Sequence, residues 1–169
     1  MITPQRKQEL EDLIKSFPIG EERKPSFAFV DKRLEEDSVT GAEETIYLIE
    51  FGYQRRNVFF TFLYADLLNP YCDDETLDPF FKEGKNKEKC IKLLEWAAEE
   101  NGPVSALEAL IDAYWNNSSN YETFLKTASK WIKLYAERVD PKEASVDILG
   151  WADDAERLGF LPQTKSSSN

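Results

Sequence analysis

The chain has 169 residues, of which 41% are hydrophobic and 13% aromatic, with a net charge of −11 and no histidine. That apolar content excludes a disordered chain, and the length suits one domain able to bury a core without disulfides or metals. The missing histidine removes the commonest general base, the commonest metal ligand and the usual partner of a serine or cysteine nucleophile, so the expectation is a protein with no catalytic residues, no cofactor and no metal.

In chain order, Thr3 followed by Pro4 starts a first helix whose apolar stripe is Leu10, Leu13, Ile14 and Phe17. It ends before Pro18. Residues 21–39 are charged apart from 26–30, which read as a short strand or an extended segment; residues 45–49 could pair with 27–30, giving a small strand pair within residues 26–50. The other reading opens a helix at Thr40, with Glu43 completing a capping box, and continues it through a densely apolar stretch to Leu68. That stretch is one bent helix or two, with Gly52 and Asn57 as the candidate break. Val58–Leu68 is about half the length needed to span a bilayer, and Thr61 and Asp66 interrupt it, so it reads as a buried core helix.

Asn69-Pro70 ends that helix, and a loop of residues 71–84 follows. Residues 87–101 form a helix with Cys90, Ile91, Leu94, Ala97 and Ala98 at helical spacing, closed by Gly102. Pro103 opens the next, which buries Leu107, Leu110, Ile111 and Tyr114 and ends at Asn116-Asn117-Ser118-Ser119. Ser119 and Glu122 make a second capping box before the stripe of Tyr121, Phe124, Leu125, Ala128, Trp131, Ile132 and Tyr135. A third start at Asp140-Pro141 leads to a helix carrying Ile148, Leu149, Trp151, Ala152, Ala155 and Leu158, stopped by Gly159. The architecture expected is mainly α, an irregular helical bundle or a short helical-hairpin array. It forms a single helical domain over residues 1–162 with a flexible tail at 163–169.

Trp96 and Trp131 lie 35 positions apart within Leu93-Leu94-Glu95-Trp96-Ala97 and Ala128-Ser129-Lys130-Trp131-Ile132. With the segment 89–102 and the helix of residues 106–115, that spacing resembles the roughly 34-residue tetratricopeptide hairpin. The likeness covers about half of the chain. It lacks some small residues at helix crossings, the usual Gly or Pro at residues 116–120, and any repeat in the N-terminal half. The resemblance implies a concave protein-binding surface and no chemistry.

Charge is uneven, with nine acidic against three basic side chains in residues 41–84. Such a surface repels nucleic-acid phosphates and anionic lipid and attracts a basic protein, so neither direct nucleic-acid binding nor membrane association is expected. The loop holding Tyr71, Asp73, Asp74, Glu75, Asp78 and Phe80 mixes contact area with negative charge and is the first candidate for a partner surface. Calcium is disfavoured there, because the EF-hand spacing and its Gly are missing. Trp115, beyond its helix's main stripe and beside a turn, and Asp153 and Asp154 of the last helix are further candidates; Asp153 also stands at ion-pair spacing from Arg157. Cys72 and Cys90 match neither a zinc site nor a CxxC motif, and no P-loop, GxGxxG, GxSxG or HExxH motif occurs. Residues 1–13 are too charged for a secretory signal, which together with two free thiols points to the cytoplasm.

The function this favours is an acidic, non-enzymatic inhibitor or immunity-type protein that neutralises a basic partner such as a toxin domain. A helical-repeat adaptor and a nucleic-acid mimic are the alternatives.

Overall fold

The computed structural model describes residues 2–15 and 38–161, and among them every regular element is helical. Seven α-helices lie among the described residues: α1 (Pro4–Lys15), α2 (Ser38–Gln54), α3 (Val58–Leu68), α4 (Lys87–Glu99), α5 (Val104–Asn117), α6 (Tyr121–Arg138) and α7 (Val146–Arg157), with a 3-10 turn at Asp78–Phe80. The mainly α expectation holds. The chain divides into two compact units, Met1–Ala106 and Leu107–Asn169. The tail at 163–169, Phe17 and the strand expected at 27–30 lie outside the described residues. The partner strand at 45–49 is instead the interior of α2, where Thr45, Ile46, Leu48 and Ile49 are all buried. β-branched residues lose little in a helix whose faces are covered, because tertiary burial outweighs a propensity difference of a few tenths of a kcal/mol.

In the first unit α1 packs on α2, α2 on α3, and α3 on α4. Thr3 caps α1 through its side-chain oxygen, which accepts from the Arg6 amide at 3.2 Å. The Arg6 guanidinium then grips Glu44 of α2 with two bonds, at 2.7 and 2.9 Å. Thr40 lies inside α2, which begins two residues before the expected cap. The apolar stretch forms two helices. Arg56 takes φ 57°, and Asn57 caps α3 by accepting from the Phe60 amide at 3.2 Å. Eight of the eleven α3 residues are buried, as a helix covered on most sides requires. Its neighbour α2 approaches so closely at Gly52 that a β-carbon there would stand 2.3 Å from the Phe60 ring.

In the second unit the buried side chains are Leu107, Leu110 and Ile111 of α5, the α6 stripe from Phe124 to Tyr135, and Ile148 and Ala155 of α7. The α6 cap is Asn120, one residue past the expected Ser119, because its Oδ1 accepts from the Thr123 amide at 2.9 Å. Asp140 caps a turn and not a helix. Its carboxylate takes the Lys142 amide at 2.9 Å, and α7 starts later, at the Ser145 cap. Gly159 ends that helix with φ 79°, a left-handed turn that a side chain would strain. Trp131 is buried while Trp96 is half-buried, so the two tryptophans behind the repeat spacing are not equivalent.

Candidate binding surfaces

Two separate places hold the predicted partner-binding residues. The first is the acidic loop. Tyr71, Asp73 and Glu75 are exposed, whereas Asp74 and Asp78 spend their carboxylates inside the loop. Asp74 Oδ1 accepts from the amides of Thr76 and Leu77, each at 2.9 Å, which forms an Asx turn that leads into the 3-10 helix. Asp78 accepts from the Asp74 amide at 3.3 Å and pairs with Lys85 Nζ at 2.8 Å, and the same ammonium donates to the Cys72 carbonyl at 2.6 Å. Two of the four carboxylates thus shape the loop, and two face water. Leu77 and Phe81 anchor it in the core, and Phe80 is half-buried.

Phe80 and Pro79 form one wall of a groove of about 350 Å³. The face of α2 that carries Glu43, Ile46, Tyr47 and Glu50 also lines it, and Ile2, Lys7 and Lys82 complete the lining. Those four α2 positions recur every three or four residues, so they share one helical face. Lys7 Nζ lies 5.1 Å from the centre of the Tyr47 ring, and the Tyr47 hydroxyl donates to Glu11 at 2.6 Å. Burial and that carboxylate raise the Tyr47 phenol to about 12. Glu50 is half-buried, and burial pushes its carboxyl above the ordinary carboxylate range.

The second place is in the other unit. Trp115 of α5 and Trp151 of α7 stack with ring centres 5.6 Å apart and planes 13° apart. Both meet buried Phe124 in T-shaped contacts, with ring centres at 5.0 and 4.9 Å, and Tyr121 packs beside Trp115 at 6.1 Å. Each ring pair is worth about 0.5–1.5 kcal/mol beyond its area, enough to hold the cluster in one arrangement. The cluster is nonetheless open to water, with Trp115 44% and Tyr121 39% exposed. Asp154 joins it. Its Oδ2 accepts from the Tyr121 hydroxyl at 2.6 Å and its Oδ1 from Arg157 at 2.6 Å, and those two donors hold its carboxyl below the ordinary aspartate range. Arg157 therefore pairs with Asp154, three residues back, where the sequence spacing pointed to Asp153. Asp153 is exposed.

The helices bearing the two tryptophans are acidic. α5 and α7 hold Glu108, Asp112, Asp147, Asp153, Asp154 and Glu156 against Arg157 alone. α6 has the opposite bias, with Lys126, Lys130, Lys133 and Arg138 against Glu122 and Glu137. Sequence periodicity placed Tyr121 in the inward stripe. It is the first residue of α6, and the clue to its exposure was its position next to the cap. Glu50 left a weaker signal, an acid set among apolar positions on one face of α2.

Among the described residues no group of three or more Asp, Glu or Cys side chains is placed to hold a metal ion, and no helix is long and apolar enough to cross a membrane. The chain matches no known protein family, no curated protein and no solved structure. Function is therefore inferred from its own side chains.

Proposed function

We propose that this chain is a non-enzymatic binding protein that engages a basic protein, in the manner of an inhibitor or immunity protein that neutralises a cationic partner such as a toxin domain. One observation carries the reading: a stacked pair of indole rings, open to water, sits on helices whose charged residues are all acidic but Arg157. Exposed Trp and Tyr rings held rigid by their neighbours are the usual anchors of protein interfaces, since they lose little entropy and bury much area on binding. A ring face flanked by carboxylates suits an Arg or Lys side chain, which gains cation–π attraction and an ion pair together. Asp153 and Glu75, exposed in their respective units, add to the attraction that steers a basic protein toward the chain. The lack of any histidine in the sequence is consistent with a role that needs no chemistry.

The test is a pull-down from host lysate at low salt, with stepwise salt elution, using the wild type beside Trp115→Ala. The expected result is a basic protein that elutes as salt rises and binds the variant roughly thirty-fold more weakly, the loss typical of a central aromatic anchor. A protein retained equally by the variant would move the interface off this cluster. A salt-resistant partner of neutral charge would favour the adaptor role instead.

A further inference from the structure

We propose that the groove between α2 and the 3-10 turn binds a free α-amino acid with an apolar side chain, Glu50 taking its ammonium group and Lys82 its carboxylate. Neither side chain forms a hydrogen bond or an ion pair among the described residues, although Lys82 stands near enough for Glu50 to feel its charge. A half-buried carboxylate with no donor carries an uncompensated desolvation cost, and a cation delivered by a ligand relieves it. Among the described residues, a carboxylate and an ammonium that line the same groove without joining match the two opposite charges of one zwitterion. Of the other acids, Glu83 is already occupied by Lys89 at 2.8 Å and by the Tyr64 hydroxyl, so it does not compete for the ammonium, and Glu43, which also lines the groove, stands about two turns of α2 away from Glu50.

The rest of the groove is lined by Ile46, Tyr47, Pro79 and Phe80, with Ile2, Lys7 and Glu43 completing it. From Glu50 back to Ile46 the α2 face runs about 6 Å at 1.5 Å per residue, the reach of a leucine, methionine or phenylalanine side chain. The volume of about 350 Å³ lies at the small end of ligand pockets, which run from about 300 to 1,000 Å³. A simple cation would leave the apolar walls wet. A fatty acid would bring its carboxylate against Glu50. Only a ligand carrying both charges and an apolar tail satisfies all three features.

The experiment is calorimetric titration of the full chain with L-leucine, L-methionine and L-phenylalanine, beside 3-methylbutylamine and 4-methylpentanoate, which each keep the leucine side chain and one of its charges. At least one amino acid is expected to bind, and both single-charge analogues at least about ten-fold more weakly than leucine, the scale of one lost charged contact. Glu50→Gln and Lys82→Gln are each expected to weaken the best amino acid by a similar factor with an unchanged circular dichroism spectrum. Lys82 is exposed, so its variant keeps the test sound even where Glu50→Gln disturbs packing. The proposal is overturned by no heat from any of the three amino acids, by the amine alone binding as tightly as leucine, or by full affinity in both variants.

Discussion

Tyr121 donates its hydroxyl hydrogen to Asp154 while its ring leans on Trp115, so a single side chain links the start of α6 to α5 and α7. The same phenol is pushed up to about 12, first by burial and then by the Asp154 carboxylate, so it remains a donor across the physiological range. A carboxyl held below its ordinary value by hydrogen bonds adds stability at any pH above that ordinary value, and the contribution is lost as pH falls through the lowered one. Tyr121→Phe removes one of the two donors. The Asp154 carboxyl is then expected to titrate closer to 3.8, and acid unfolding to depend less on this residue, as carbon-detected NMR across pH 2–6 would report. An unchanged titration would mean that Arg157 alone holds the carboxylate. At this scale the sequence was legible in kind and not in partner. Trp115, Asp153 and Asp154 stood out from α-helical spacing, yet the choice of Asp154 over Asp153 by Arg157 depends on which carboxylate the Tyr121 hydroxyl already orients.

The α2–α3 corner shows what periodicity could and could not reveal. Val58–Leu68 was readable as a core helix because a run of eleven residues that is apolar except at Thr61 and Asp66 leaves a helix few other places to go. The position of the break was also visible in Asn57, an N-cap residue type that precedes such a run. The reason for Gly52 was not, since it depends on Phe60 arriving from the next helix. Gly52→Ala places a methyl group inside van der Waals distance of that ring, and Phe60 is 2% exposed with no room to retreat. The expected cost is about 1–3 kcal/mol, measurable as a lower urea midpoint at constant slope. A stability equal to wild type would show that α2 and α3 can separate without penalty. Caps were harder to place than helices. Asn120 took the role expected of Ser119, and Ser145 that expected of Asp140, because several adjacent residues could cap each start and only the geometry of the preceding turn selects one.

Across the whole chain, the acidic excess is heaviest before residue 107, with 22 acidic against 14 basic side chains in the first unit and ten against seven in the second. Composition could locate that excess but not its wiring. Asp74 and Asp78 look like free charge in the sequence and turn out to be loop scaffolding, tied to backbone amides and to Lys85. The groove was illegible for another reason. Its walls come from residues near 2, 46 and 80, and no local pattern announces that three such distant pieces meet. A different use follows from the two thiols. Cys90 is buried and its thiol is raised to about 12, while Cys72 sits exposed on the acidic loop. Only a thiolate reacts with a maleimide, so the folded chain is expected to accept one label per molecule, at Cys72, by intact mass, and none after Cys72→Ser. The wild-type protein therefore comes with an attachment point for a fluorophore or spin probe beside Tyr71 and Asp73, and arrival of a partner at that loop can be watched without altering any other residue.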